Sequence, residues 1–386
     1  MTVIDSDQHL VEYRALWADH IEPDCRDDAI RLDDDATGTT YLRWRDQTLG
    51  VADVQTPGET DAIGERRRRI RAGLAPLVPY DDALPADHWN PRARVGALDT
   101  MGLDAAVVFP NYGLLWERRV GRESPPAMLA NMSAWNRWCG SVVTDSDGRL
   151  HPVAHLALRD PEWVLAELHA LERRGVRLAM VAPALVDGKP MSHRDHDDVW
   201  AAFVDHGVTP VFHVADQPRV FDDAWYTDDG AEHLVNVIES VFLWTPAALA
   251  CADLIVNGTL DRFPALRIGI VELSAVWVPM FLMMLDGGWD FTRRLNGSVP
   301  YELARRPSEY FLQQVRVSAF SYELPARLTR DVGDVFMCCS DYPHSEGTAT
   351  PIADYGAHAR HGVTPASHPG LFGDNVASLL ARSDAT

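Results

Sequence analysis

The sequence predicts an α/β fold, a distorted (β/α)8 TIM barrel with an insertion between its first two strands. Three observations lead there. Eight short apolar runs rich in β-branched residues are spread over the 386 residues. Segments of helical period separate most of them. No glycine-rich phosphate loop follows an early strand, as a doubly wound open sheet, the competing arrangement, would favour. Near-continuous apolar strands alternating with amphipathic helices are what a parallel sheet covered by helices requires.

The first run is Thr2-Val3-Ile4-Asp5, ending near His9, and the second is Ala105-Ala106-Val107-Val108-Phe109-Pro110. Leu150-His151-Pro152-Val153-Ala154-His155, Arg177-Leu178-Ala179-Met180-Val181 and Thr209-Pro210-Val211-Phe212-His213 follow. The last three are 266–272, 315–318 and 334–341. Helices are expected over 126–143, 161–174, 195–206, 276–285 and 369–380, where apolar residues recur at three and four residue intervals and Pro or Asp stands near the start.

The gap between the first and second strands is an insertion of about residues 13–95. Within it, 29–32 and 39–44 around an Asp33 to Gly38 turn read as a β-hairpin, and the Pro/Asp-rich 75–90 as a loop. Long insertions in barrels sit at the catalytic mouth or in oligomer contacts. The whole chain, 1–386, reads as a single barrel domain.

Lys and Arg number 35 against 56 Asp and Glu, a net charge of −21. That argues against a nucleic-acid or anionic-membrane partner, since phosphate binding needs clustered cations. The basic run Glu65-Arg66-Arg67-Arg68-Arg69 reads as a solvated face. Five scattered cysteines without a C-x-x-C pair imply neither a disulfide framework nor a zinc knuckle and suit a reducing compartment. With no run of spanning length and no leader pattern apparent, a soluble, cytoplasmic protein is expected.

In a barrel the C-terminal ends of all strands converge on one mouth. Four of the eight end in metal-competent groups: Asp7 and His9 on the first, His213 on the fifth, Glu272 on the sixth and Asp341 on the eighth. Residues two apart in an extended segment face the same way, so Asp7 and His9 can clasp one ion from one side. His213 and Asp341 can complete the set. Two imidazoles and two carboxylates suit one Zn²⁺, or the harder Mn²⁺, with an open position for water. Singly, each residue has an ordinary explanation as a turn, a cap or a hydrogen-bonded core group. Together, several ionisable groups in one place are costly unless a cation compensates them.

The same residues resemble a known family. Ile4-Asp5-Ser6-Asp7-Gln8-His9, Thr209-Pro210-Val211-Phe212-His213, Asn257-Gly258-Thr259-Leu260-Asp261-Arg262-Phe263-Pro264 leading to Val271-Glu272-Leu273-Ser274, Ser340-Asp341-Tyr342-Pro343-His344 and Phe372-Gly373-Asp374-Asn375 are similar to the amidohydrolase-2 family, which includes aminocarboxymuconate-semialdehyde decarboxylase and the resorcylate decarboxylases. The resemblance implies a distorted barrel, one divalent ion on Asp7, His9, His213 and Asp341, and a homodimer. This chain departs from those decarboxylases at two places. Asp7 stands where they usually have histidine or glutamate, and Glu272 where they place a proton-handling histidine.

The expected chemistry is hydrolysis of an amide, lactone or related carbonyl of a small organic substrate, with Asp341 or Glu272 shuttling the proton. A non-oxidative decarboxylase, hydratase or cyclodehydratase acting on a small aromatic or enolic acid is the alternative, and a non-catalytic barrel the third reading. Glu272 has a structural alternative as partner of an arginine such as Arg316. His155, Asn111, Tyr112, Trp277 and His344 lie close after strand ends and are candidate substrate contacts. Ser192-His193-Arg194-Asp195-His196 looks like a metal cluster on paper, but Asp195 reads more simply as a helix cap.

Overall fold

The computed structural model describes residues 2–225, 237–358 and 362–382. Its strands, in chain order, are β1 (Ile4–Leu10), β2 (Arg31–Asp34), β3 (Thr40–Trp44), β4 (Gln47–Val51), β5 (Ala105–Pro110), β6 (Leu150–His155), β7 (Leu178–Met180), β8 (Thr209–Phe212), β9 (Ile268–Ile270), β10 (Val315–Ala319) and β11 (Phe336–Cys338). Eight of them form a parallel sheet in the order β1-β5-β6-β7-β8-β9-β10-β11. The sheet comes round on itself where Asp341 N donates to Asp7 O at 2.9 Å and His9 N to Tyr342 O at 2.7 Å. This is a (β/α)8 barrel, distorted by three-residue strands at β7, β9 and β11 and by a register shift between Asp5 and Gln8.

All eight expected strands are present, and the reason is in the burial. Every residue of β1, β5, β7, β8, β9 and β11 is buried, as strands packed on both faces must be. Val107, Val153, Met180, Val211 and Met337 belong to one apolar cluster that fills the barrel interior. Outside it run Pro125–Asp145, Pro161–Arg174, Asp197–Asp205 and Val278–Asn296. The first two start as the prolines predict: Ser124 and Asp160 accept from backbone N–H groups of the first turn, and proline occupies the next position.

Several local expectations are corrected. The hairpin of the insertion has a third strand, β4, paired antiparallel to β3. The 75–90 loop contains two short helices, Tyr80–Ala83 and Ala86–Trp89. The basic run lies on the helix Thr60–Arg71 and is not wholly solvated: Arg67 is buried against Asp53 and Arg66 pairs with the same carboxylate. His193, not Asp195, caps the 194–196 turn, and Asp195 pairs with Lys189. The stretch Val237–Val256 is, against expectation, long and apolar enough to cross a membrane. It is broken into Val237–Phe242 and Thr245–Val256, and the second buries Ala247, Cys251 and Leu254 in the core. The five cysteines are free thiols.

Candidate metal centre

The C-terminal ends of β1, β8, β9 and β11 deliver their acids and imidazoles to one point. Ligand-competent atoms of Asp7, His9, His213 and Glu272 lie within 4.8 Å of one another, as do those of His9, Glu272, Asp341 and His344. His9 Nε2 is 3.2 Å from Asp341 Oδ1 and 3.5 Å from Asp7 Oδ1. His213 Nε2 is 3.5 Å from the same Asp7 oxygen and 3.2 Å from Glu272 Oε2. Alternation along β1 puts Asp7 and His9 side by side, and closure of the barrel brings Asp341 to them.

Both imidazoles are aimed from behind. His9 Nδ1 lies 3.0 Å from Pro110 O and His213 Nδ1 lies 2.8 Å from Val214 O. Each carbonyl accepts an Nδ1–H, which leaves the Nε2 lone pair turned to the centre, as metal-bound histidines are oriented. The carboxylates are fixed by backbone. Glu272 and Asp341 have φ of +53° and +56°, unusual for residues with side chains. Glu272 N donates to Ser318 Oγ. Under Asp341 the turn closes so tightly that a Cβ on Gly347 would stand 2.4 Å from the Asp341 carbonyl oxygen.

The donor set fits a divalent cation. Both oxygens of Asp7, both of Asp341, Glu272 Oε2 and the Nε2 atoms of His9 and His213 are buried with no partner in hydrogen-bond geometry. They stand at ion-pair distance from one another. Left so, they would cost several kcal/mol each. The electrostatics say the same. Burial opposes a charge on His9, yet Asp341 and Asp7 beside it push its pKa up to about 10. Burial, then the charges of Asp341 and Asp7, push Glu272 well above its ordinary value. Burial would raise Asp341 too, but His344 and His9 hold it below the carboxylate range. Three acids share one small volume and call for positive charge.

His344 stacks on His9, with ring centroids 3.9 Å apart. Its Nδ1 is 2.7 Å from Asp341 Oδ1, and its Nε2 lies 2.9 Å from Asn111 Oδ1. Oxygens on both sides suit an imidazolium, and Asp341 raises the His344 pKa against its burial. Asn111 in turn sits on a loop held by Glu12, whose buried carboxylate accepts from the backbone N–H of Asn111, Tyr112 and Gly113. Sequence reasoning missed Glu12. Its only signal is its place three residues beyond His9.

The other candidates have these contacts. Tyr112 turns its hydroxyl to Asp53 O and Tyr80, inside the insertion contact. Trp277 is buried against Trp244, Phe281 and Phe311, its indole N–H donating to Leu273 O and Ser274 O. His155 Nε2 is engaged by Glu117 Oε2 at 2.9 Å. Arg316 is no partner of Glu272; it caps Leu312 O and Val315 O. A cavity of about 560 Å³ opens on the loops after β5 to β8, lined by Glu117, Arg122, Arg159, Leu185 and Arg219 among others. These residues come from separate loops, so no local pattern announces them.

A (β/α)8 barrel with a carboxylate and imidazole centre at the C-terminal ends of its strands is the class that fold and site define. Solved structures with the same fold include amidohydrolases and decarboxylases. An amidohydrolase of Mycobacterium avium subsp. paratuberculosis is 21% identical with a TM-score of 0.75, covering 98% of this chain and 99% of that one. The 5-carboxyvanillate decarboxylase of Novosphingobium aromaticivorans, solved with manganese and 3-methoxy-4-hydroxy-5-nitrobenzoic acid, is 18% identical with a TM-score of 0.61, covering 85% and 99%. The 2,6-dihydroxybenzoate decarboxylase from Rhizobium is 15% identical with a TM-score of 0.57, covering 98% of each chain. No family profile and no curated sequence matches the chain.

Proposed function

We propose that the protein is a metal-dependent enzyme of the amidohydrolase-2 type that hydrolyses an amide, lactone or related carbonyl of a small organic substrate. One observation carries the reading: the buried, partnerless donor atoms of Asp7, His9, His213, Glu272 and Asp341, gathered in two overlapping clusters that share His9 and Glu272. Asp7, His9, His213 and Asp341 would hold the ion, with Glu272 as a further ligand. Zn²⁺ and Mn²⁺ both suit this mixture of nitrogen and oxygen donors, and manganese accompanies the decarboxylase named above. A bound divalent ion supplies an acidified water and a Lewis-acid contact for a substrate oxygen.

The protein's own part is positioning and proton transfer. Asp341, kept ionised by His344 and His9, takes a proton at its carboxylate and returns it to the leaving group. His344 holds Asp341 in place and is itself held by Asn111. Glu272 is the only one of the five whose side chain has measurable access to solvent, at 15%. The cavity over β5 to β8 lies at the same end of the barrel and has the volume of a small-molecule site. A homodimer and a cytoplasmic location belong to the same reading, the latter supported by the five free thiols.

A second reading, a non-oxidative decarboxylase of a small aromatic or enolic acid, is favoured by the decarboxylases among the structural neighbours. Glu272 weighs against it, because it stands where the decarboxylases that the sequence resembles place a proton-handling histidine. Metal analysis of the purified protein tests the common ground. One equivalent is expected after metal supplementation, and less than about a tenth would overturn both readings. Assays of the loaded enzyme for CO2 release against amide or ester cleavage then separate them.

A further inference from the structure

Away from the metal centre, His169, Glu172 and His206 bring one ligand-competent atom each to within 4.8 Å of one another. His169 and Glu172 stand three positions apart on the helix Pro161–Arg174, so they share a face. His206 follows the end of the helix Asp197–Asp205 and sets its ring edge-on to His169, with centroids 5.6 Å apart. Its Nδ1 lies 2.8 Å from Glu172 Oε2. This group is at the other end of the barrel from the centre. His206 comes before β8 and His213 directly after it, with about 13 Å of strand between them.

The carboxylate is held with one oxygen left to the imidazoles. Arg382 pairs with the other oxygen, Glu172 Oε1, and its Nη2 also reaches Asp205 O at 3.4 Å. The arginine lies over Gly207, where φ is +60° and a Cβ would stand 2.8 Å from Arg382 Cγ. A side chain there would displace the arginine, so glycine keeps Oε1 engaged and Oε2 turned to His206. An ion-pair network between the two helices needs only Glu172, His206 and Arg382. His169 is exposed and stands outside that network, yet it sets a second imidazole beside the first.

The geometry points to a second metal site, a surface site for Zn²⁺ with His169, His206 and Glu172 Oε2 as ligands and water in the fourth position. Ligands at about 2.0–2.2 Å on a tetrahedral ion lie about 3.3 Å from one another. Glu172 and His206 are near that spacing already, the ion displacing the hydrogen between them. The exposed His169 closes the remaining distance by rotating its side chain. Imidazole ligands suit zinc, whereas manganese binds most weakly in the divalent series, so a manganese-loaded centre leaves this site open. Once bound, the ion clips the two helices together at the base of the barrel. With three ligands at the surface it exchanges readily, and it adds to the equivalent retained at the centre only while free zinc is present. The inference does not depend on the reaction proposed for the centre.

Calorimetric titration of zinc into the manganese-loaded full chain tests it. One saturable event is expected that His169→Gln and His206→Gln each weaken at least tenfold, any exchange of the ion at the centre being common to all three proteins. Saturating zinc should also raise the melting temperature of the wild type more than that of His169→Gln. His169 is exposed and His206 half-buried at the surface, so both substituted chains keep the fold, which circular dichroism checks. An event of unchanged affinity in both variants overturns the site, as does a wild type that shows no event beyond the exchange seen in them. Loss of the centre's retained manganese on either substitution overturns it too, because the binding then belongs to the centre.

Discussion

His344 Nδ1 lies 2.7 Å from Asp341 Oδ1, and the pair is buried at the mouth of the barrel. The imidazole sets the charge of the carboxylate, and the carboxylate is the proton carrier of the proposed reaction. Asp341→Asn keeps the shape, and asparagine tolerates the φ of +56° found there. Turnover should fall by about 10²- to 10⁴-fold with the melting temperature little changed. Steady-state kinetics that retain more than about a tenth of the activity remove Asp341 from this role.

Asn111→Ala takes away the oxygen that steadies His344 Nε2 without touching a ligand. We expect kcat to drop by about tenfold, the scale of one lost hydrogen bond, with metal occupancy unchanged. A fall in occupancy would show instead that Asn111 supports the ion.

His213→Ala should lower metal occupancy sharply, because it deletes one of the four donors of the cluster Asp7, His9, His213 and Glu272. Glu272→Gln distinguishes a ligand from a base. Weaker metal binding with kcat preserved at saturating metal marks a ligand, and lost kcat with full occupancy marks a base. Unchanged behaviour in both measurements makes Glu272 a bystander.

Metal affinity should rise with pH. The metal-free centre holds a proton on His9, whose pKa burial would lower but Asp341 and Asp7 push up to about 10. An ion must displace that proton at any pH below this value, so affinity gains about tenfold per pH unit for one proton released. Competition titrations between pH 6.5 and 8.5 read the slope directly, and a flat profile contradicts a protonated His9.

Glu12→Ala should destabilise the fold by about 1–3 kcal/mol, since it strands the N–H groups of Tyr112 and Gly113 in the interior. Thermal unfolding measures this. A melting temperature equal to wild type would mean that water takes over the loop.

What the chain announced by itself is periodic or adjacent. Apolar runs of strand length and helical stripes depend on near neighbours, so the eight barrel strands and the helices 161–174 and 126–143 were legible to within a few residues. Asp7 and His9 were legible because alternation along one strand fixes their common side. The third strand of the insertion was not, since Gln47-Thr48-Leu49-Gly50-Val51 pairs only once β3 is in place.

The sequence thus determined the barrel, the order of its strands and the donor types at their ends, all encoded in local period and chain order. Only the tertiary structure decided that Glu272 joins the donor cluster, that His344 and Asn111 stand behind Asp341, that the Tyr112 hydroxyl meets Tyr80 and that Trp277 packs on Trp244, Phe281 and Phe311. The physical reason is closure: these relations join residues as distant in the chain as Asn111 and His344, 233 positions apart, and their geometry exists only when the last strand returns to the first.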